Sequence, residues 1–179
     1  MRSNAKPASP SAHVGKIHFR RPMPLDGAAV HALIANCPPL DTNSLYCNLL
    51  QCSMFSATCV VAEQDGNLVG FISGFVTPDS TDNLFIWQVA VTPAARGMGL
   101  AVAMVLELLN RPACQRTSQL QTSITPGNAA SWALFESVAK ALGTQLISKV
   151  LFERQQHLNN LHDTEMLVTI GRFTPRAAA

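Results

Sequence analysis

A turn made of small residues follows an apolar stretch near the middle of the chain. The segment VTPAARGMGLA (91–101) places Arg96 before two glycines, Gly97 and Gly99, and ends at Ala101 inside a new apolar run. Small residues let the backbone approach a diphosphate, and the N–H groups at a helix N-terminus favour its negative charge. The spacing Arg-x-x-Gly-x-Ala therefore predicts a diphosphate-binding turn. A tight strand-to-helix turn that holds no ligand is the alternative.

Two other phosphate-binding loops do not fit these residues. A Walker loop requires a lysine after its last glycine, and none follows Gly99. A dinucleotide-binding fingerprint requires glycine or alanine where Val102 stands, and an acidic residue on a following strand, which is missing at a suitable place.

The segments around the turn alternate between strand-like and helix-like patterns. Residues 83–93 are nearly all apolar, which is typical of a central strand buried on both faces. Asp65–Gly66 predicts the turn of a hairpin over 58–78. The other predicted elements are strands over 16–22, 118–126, 144–154 and 164–173 and helices over 24–37, 44–55, 100–111 and 128–143. This order predicts an α/β fold with a mixed sheet.

Composition and charge exclude several classes of protein. The 179 residues suit one domain, and 47% hydrophobic with 13% charged residues is a globular composition. A net charge of +2 gives no reason to expect a nucleic-acid partner, and no apolar run reaches the roughly 18 residues of a membrane span. Five cysteines without a CxxC pair predict reduced thiols in a cytoplasmic protein, and the Cys and His spacings predict no metal site.

The two ends of the chain differ from its middle. Residues 1–15 lack an apolar core, so they are predicted to be a disordered leader rather than a secretory signal. Residues 16–173 are predicted to form the folded domain, and residues 174–179 a flexible tail.

Four consecutive segments between Ile86 and Phe135 resemble the GCN5-related N-acetyltransferase (GNAT) family: WQVAVTP, RGMGLA, LQTSITP and NAASWALF. The resemblance implies the GNAT fold, a single domain with a mixed, mostly antiparallel central sheet, a splayed strand pair and flanking helices. It also implies acetyl-CoA as the acetyl donor, so that the glycine turn would hold the pyrophosphate of coenzyme A.

The resemblance further implies which residues bind acetyl-CoA. Main-chain groups of Val89 and Val91 would pair with the pantetheine arm, in a slot opened by the splay near residues 122–124. Asn128 would contact the cofactor and cap the following helix at the same time. The complete implied set is Val89, Ala90, Val91, Arg96, Gly97, Met98, Gly99, Leu100, Ala101 and Asn128.

One position departs from the family pattern. Many members carry a tyrosine, the usual proton donor to the departing thiolate, where Phe135 stands here. Phenylalanine cannot donate a proton, and the only tyrosine of the chain is Tyr46. Either another group is the acid, or coenzyme A leaves as a thiolate and takes its proton from water.

The region from about Lys16 to Phe173 is similar to those family members that acetylate a small diamino acid, L-2,4-diaminobutyrate, in the synthesis of the osmoprotectant ectoine. The similarity rests on the segments PLDTNSLYCNLL, FIWQVAV and NLHDTEML. It implies transfer to the side-chain (N4) amine, by direct attack of the deprotonated amine on the thioester.

That acceptor requires carboxylates to hold an ammonium group and to accept protons. Asp41 and Glu165 are the candidates, with His162 as a further base and Tyr46 as an acid. Trp87 would form an apolar wall, and Thr42, Asn43 and Ser44 would bind the substrate carboxylate. Four of these predictions have a purely structural alternative. The alternative is a turn or cap residue for Asp41, a core residue for Trp87, a solvated loop pair for His162 and Glu165, and a packed helix residue for Tyr46.

Other readings of the same sequence remain open. A covalent intermediate on Cys47 is disfavoured because no basic partner is near it in sequence. The alternatives for the whole protein are an acetyltransferase for another small amine, a protein lysine or an N-terminus, and a non-catalytic acetyl-CoA-binding domain. Family analogy favours a homodimer.

Overall fold

The computed structural model describes residues 15–175. The predicted leader, apart from Gly15, and the last four residues of the predicted tail lie outside the described residues. No helix within the described range is long and apolar enough to cross a membrane.

A seven-stranded sheet forms the centre of the structure, with the strand order β1-β2-β3-β4-β5-β7-β6. All neighbouring strands pair antiparallel except β4 and β5, which run parallel. The strands are β1 (His18–Arg20), β2 (Val60–Gln64), β3 (Asn67–Val76), β4 (Asn83–Val91), β5 (Gln119–Ile124), β6 (Leu146–Phe152) and β7 (Glu165–Gly171).

Four α-helices flank the sheet: α1 (Gly27–Ala35), α2 (Leu45–Ser53), α3 (Leu100–Leu109) and α4 (Ala129–Ala141). Short 3₁₀ turns precede or follow them at Pro24–Asp26, Ser56–Thr58, Pro93–Ala95 and Pro112–Cys114. Side-chain caps start two of the helices, because Ser44 accepts from the N–H of Cys47 and Asn128 accepts from the N–H of Ser131.

Two hydrophobic cores lie on the two sides of the sheet. Successive residues of a strand point to opposite faces, so Val61 and Phe71 pack into the core that contains α1, while Val60 and Ile72 pack into the core that contains α3 and α4. The predicted burial of β4 on both faces is therefore confirmed for most of its length, with the exception of Trp87, which is 47% exposed.

Every predicted element is present in the predicted order, so the predicted α/β fold with a mixed sheet is confirmed. The hairpin turn is also confirmed, because Asp65 (φ 51°) and Gly66 (φ 78°) both adopt the left-handed conformation that a two-residue turn needs. The predicted boundaries were too wide by one to three residues at most ends. The first helix begins as a 3₁₀ turn at Pro24–Asp26, where proline is tolerated because the missing N–H would have no partner within the helix.

Candidate active site

The site begins where β4 and β5 separate. The two strands pair in register from Asn83 opposite Gln119 to Ile86 opposite Thr122, and no described pair follows. Beyond this point no strand pairs with the β5 side of β4 among the described residues, and at its end the carbonyl oxygen of Val91 accepts from Arg96 Nε and Cys37 Sγ. An unpaired strand edge can accept an extended ligand as an additional strand, which fits the predicted splay and the predicted roles of Val89 and Val91.

A β-bulge on the other side of β4 turns Trp87 out of the regular pairing. Gln88 lies opposite Ser73 on β3, and Ile86 lies opposite Gly74, so Trp87 is the extra residue between two neighbouring pairs. A bulge redirects side chains next to it. The half-exposed indole consequently lines the cavity at the splay, in an edge-to-face contact with Phe75 at a centroid distance of 6.5 Å.

The glycine turn opens the N-terminus of α3 toward solvent and toward the second cavity described below. Gly97 (φ 76°) and Gly99 (φ 74°) are left-handed, and a Cβ atom at either position would meet no other atom within 4 Å. Gly99 is the N-cap of α3 and provides no side chain to occupy the first N–H groups of that helix. Open space, free N–H groups and the nearby Arg96 together fit a diphosphate.

Two adjacent cavities extend along the splayed edge of β4. The larger has a volume of about 730 Å³ and lies at the splay, and the smaller, of about 440 Å³, lies at the glycine turn. Both are lined by Pro39, Leu40, Val89 and Asn128, so they adjoin each other, and the two together are called the channel below.

Charge divides this channel into two ends. Among the described residues, the ionisable groups lining the larger cavity are three carboxylates, Asp41, Asp163 and Glu165. The smaller cavity is lined by the guanidinium group of Arg96, whose Nε donates to the carbonyl oxygen of Val91 at 3.1 Å, and by the thiol of Cys37. An acidic end attracts ammonium groups, and a basic end beside a helix N-terminus attracts phosphates.

The structure brings most of the predicted site residues to the channel. Asp41, Asn43, Trp87 and Glu165 line the larger cavity. The residues implied for acetyl-CoA line the smaller cavity, except for two. Met98 is 58% exposed and lies outside the lining, and Ala90 is fully buried in the core beside α1 and pairs with Phe71 on β3, so neither residue contacts the channel as predicted.

Four predicted acceptor residues do not line the cavity of their own chain. Tyr46 is 70% exposed on α2, and His162 is exposed in the β6–β7 connection. Thr42 and Ser44 are exposed as well, and the hydroxyl of Ser44 is engaged in capping α2. Only their neighbours Asp41 and Asn43 reach the lining, because residues alternate in direction along the extended segment between α1 and α2.

Sequence reasoning missed Asp163 and Gln88, which both line the larger cavity. Asp163 forms an ion pair with Arg154 at 3.1 Å, and its side chain is 71% exposed. It stands between two predicted residues, His162 and Glu165, so the sequence contained a signal for it. Gln88 is the single polar residue of the segment FIWQVAV, which is also a visible signal.

The residue at the usual tyrosine position lies in the same cavity. Phe135 is 3% exposed and lines the channel, where it supplies no proton. All five cysteines are free thiols. Cys47 does not line either cavity, and burial raises the pKa of its thiol, so it lacks the thiolate that a nucleophile needs. No group of three metal-ligating side chains occurs within residues 15–175.

Comparisons with known proteins agree with this geometry. The profile of the acetyltransferase (GNAT) family matches residues 29–139. The chain belongs to the GNAT family. The recognition of the family from four short segments is therefore confirmed, as is the single-domain GNAT fold.

Relatives within the family share one named activity. The L-2,4-diaminobutyric acid acetyltransferase of Methylotuvimicrobium alcaliphilum is 54% identical over 147 residues, which cover 82% of this chain and 86% of the relative. The enzyme of the same name from Halomonas elongata is 42% identical, covering 94% of this chain and 90% of the relative.

Solved structures give the same picture. The diaminobutyrate acetyltransferase of Paenibacillus lautus was solved in complex with its substrate L-2,4-diaminobutyric acid and coenzyme A. It superposes with a TM-score of 0.84 at 37% identity, covering 89% of this chain and 96% of that chain. The ribosomal-protein-S18-alanine N-acetyltransferase of Escherichia coli, at 16% identity and a TM-score of 0.63, shares the fold alone.

Proposed function

We propose that this protein transfers the acetyl group of acetyl-CoA to the side-chain (N4) amine of L-2,4-diaminobutyrate, a step of ectoine synthesis. The observation that carries this conclusion is the match to the Paenibacillus lautus enzyme, whose structure contains this diamino acid and coenzyme A. The channel of this chain suits the same pair of ligands, since its carboxylate-lined end suits a diammonium compound and its basic end a diphosphate.

In this proposal the glycine turn and β4 hold acetyl-CoA. The N–H groups at the start of α3 and the Arg96 side chain bind the diphosphate, and the free edge of β4 pairs with the pantetheine arm. This places the thioester, the electrophile that acetyl-CoA supplies, at the splay next to Trp87. A main-chain N–H of β4 between Val89 and Val91 meets the thioester oxygen, where negative charge develops during attack.

The acidic end of the channel orients the acceptor and removes its proton. An amine with an ordinary pKa of about 10 is an ammonium ion at neutral pH, so it must lose a proton before it attacks. Glu165 is half-buried at the start of β7 and faces the splay, and we assign it the proton of the reacting N4 amine. Asp41 anchors the α-ammonium group, and Trp87 packs against the carbon chain.

The substrate carboxylate requires donors rather than acids. Asn43 reaches the cavity and supplies such a donor, whereas Thr42 and Ser44 do not line the cavity of their own chain and are not given this role. Because Phe135 stands at the usual tyrosine position and Tyr46 lies outside the cavity of its own chain, coenzyme A leaves as a thiolate and takes its proton from water, unless a partner subunit supplies the acid.

The activity is tested by incubating the purified chain with acetyl-CoA and a panel of amines and measuring released thiol. L-2,4-diaminobutyrate is expected to be the best acceptor, with ornithine and lysine weaker by about 1–3 kcal/mol in kcat/KM because each is longer. Fragmentation mass spectrometry is expected to place the acetyl group on N4. Acetylation of the α-nitrogen, or equal turnover of lysine or a peptide amine, would assign a different acceptor. The absence of thiol release with every amine of the panel would indicate a non-catalytic role.

We also propose that the chain works as a homodimer. Two groups of exposed apolar side chains support this. The group called the α2 surface comprises Leu45, Tyr46, Leu49, Met54 and Phe55. The group called the β6 surface comprises Ile147, Val150 and Phe152, which project to both sides of edge strand β6, and Leu161 in the connection after it. Groups of exposed apolar side chains are typical of interfaces, and β6 has an unpaired side.

In a two-fold dimer each surface occurs twice, so the α2 surface of one chain can cover the β6 surface of the other. Tyr46 lies on α2 and His162 lies next to Leu161. This arrangement would therefore bring into one interface these two predicted site residues, which do not line the cavity of their own chain. Light scattering is expected to give twice the mass of the 19.2 kDa chain. Val150→Lys is expected to shift the protein toward monomer, and a wild-type chain that is monomeric at micromolar concentration would contradict the proposal.

Finally, we propose a cytoplasmic location. Five free thiols suit a reducing compartment, and four of them are buried without disulfide partners. Fractionation of cells that express the natural protein would test this directly, since recovery in a membrane or exported fraction would contradict it.

A further inference from the structure

The extended segment Asp41–Ser44 carries most of the proposed acceptor contacts, yet it belongs to no helix or strand. One buried side chain joins it to the sheet at two points. The Nε2 atom of Gln88 donates to the carbonyl oxygen of Asp41 at 2.9 Å, and the Oε1 atom of Gln88 accepts from Nδ2 of Asn43 at 3.1 Å. Gln88 therefore uses both ends of its amide group on this segment.

The anchor lies at a defined place on β4. Gln88 is 9% exposed and pairs with Ser73 immediately after the bulge at Trp87. The bulge directs the indole into the cavity, and the next residue along the strand fixes the segment that bears Asp41. Trp87 and Gln88, two consecutive residues of β4, therefore fix the positions of the apolar wall and of the acidic wall of the cavity.

We propose that Gln88 is a positioning residue that sets the distance between Asp41 and the thioester end of β4, and so determines how the acceptor amine is held. This inference rests on the proposed function. A segment held by a buried, two-point hydrogen bond is ordered before the substrate arrives, which lowers the entropic cost of binding. Asp41 has no described hydrogen bond through its own carboxylate, so the position of that group depends on its main chain.

Three variants separate this role from a general effect on stability. Gln88→Leu keeps the size of the side chain and removes both hydrogen bonds. Gln88→Glu retains the acceptor for Asn43 but places a carboxylate oxygen against the carbonyl of Asp41. Gln51→Leu is the matched control, because Gln51 is also a buried glutamine in hydrogen-bond contact with an asparagine, Asn48, and lines neither cavity.

Kinetics and NMR relaxation provide the two readouts. For Gln88→Leu and Gln88→Glu we expect the KM for L-2,4-diaminobutyrate to rise tenfold or more and the acetyl-CoA Kd to stay within twofold. We also expect the order parameters of the main-chain N–H groups of residues 41–44 to fall from about 0.85, which is typical of a rigid backbone, to below about 0.6. For Gln51→Leu we expect wild-type values of KM and of the order parameters in this segment, even if its Tm falls.

The outcomes are distinguishable. Wild-type KM and order parameters in a folded Gln88→Leu variant would overturn the positioning role while leaving the proposed function intact. Lower order parameters with an unchanged KM would also overturn it, because the segment would then be anchored without consequence for the acceptor. If the wild-type enzyme does not acetylate the diamino acid but the order parameters fall in the variants as expected, the proposed acceptor is wrong and the anchor itself stands.

Discussion

Ile86 on β4 and Thr122 on β5 form the last parallel pair between these strands, and the strands separate directly after it. Both side chains are buried, so the point of separation is fixed by the core rather than by a ligand. The channel proposed to hold the acetyl donor is therefore built into the sheet. The bulge at Trp87, one residue later on β4, places the proposed acceptor wall at the same point.

Gly99→Val is expected to weaken acetyl-CoA binding by at least tenfold, which corresponds to about 1.4 kcal/mol. The side chain would enter the open space in front of the first N–H groups of α3, where the diphosphate is proposed to lie. Calorimetric titration with acetyl-CoA measures the effect.

Gly143→Val is the matched control for this substitution. Gly143 (φ 66°) shares the left-handed backbone and the open surroundings of Gly99, but it follows the C-terminus of α4 and lines neither cavity. Both variants should lose similar stability through backbone strain, since branched residues disfavour positive φ. Equal acetyl-CoA affinity in the two variants would show that the glycine turn is structural.

Glu165→Gln is expected to lower kcat by about 10²- to 10⁴-fold, because it removes the proposed proton acceptor and preserves the side-chain shape. Steady-state kinetics at saturating acetyl-CoA would measure it. Asp163→Asn is the control, since Asp163 lines the same cavity but is 71% exposed and paired with Arg154. We expect its kcat to change less than threefold. A larger effect for Asp163→Asn than for Glu165→Gln would transfer the base assignment to Asp163.

Cys47→Ser is expected to leave kcat within threefold of the wild-type value. Burial raises the pKa of the Cys47 thiol, and it raises the pKa of Cys52 and Cys114 to about 11 and that of Cys59 to about 12. These thiols are protonated at neutral pH, so none is a ready nucleophile. Trapping of an acetylated enzyme after mixing with acetyl-CoA alone, lost in Cys47→Ser, would instead support a covalent intermediate.

The cofactor half of the site was more predictable from sequence than the acceptor half, for a physical reason. Diphosphate binding requires left-handed glycines and free helix N–H groups, and both appear within a few consecutive residues, from Arg96 to Ala101. The acceptor end instead combines Asp41, Gln88 and Glu165, which come from distant parts of the chain. Their proximity depends on the antiparallel return of β7 beside β5 and on the hydrogen bonds of Gln88.

The bulge at Trp87 was not predictable either. The segment FIWQVAV is apolar at nearly every position, so its pattern does not distinguish a regular strand from one with an extra residue. The displacement of one residue decides whether the indole enters the core or the cavity. The same limit applies to Tyr46, because the sequence predicted a helix over 44–55 but not that the Tyr46 side chain lies outside the cavity of its own chain.

Asp26→Asn is expected to destabilise the fold by about 2 kcal/mol at pH 7, because the Asp26 carboxylate accepts charge-assisted hydrogen bonds from Arg20 and a further bond from the N–H of Met23.

Hydrogen bonding to Arg20 lowers the pKa of Asp26 in the folded state. A depressed carboxyl pKa contributes stability that is fully present above the unfolded value of about 3.9 and is lost as the pH falls through the folded value. The difference in unfolding free energy between wild type and variant, measured in urea, should therefore be constant from pH 7 to about pH 5 and shrink in more acidic solution. Asp79→Asn, at an exposed position, should change stability by less than about 0.5 kcal/mol at either pH. A difference for Asp26→Asn that grows as the pH falls would contradict this assignment.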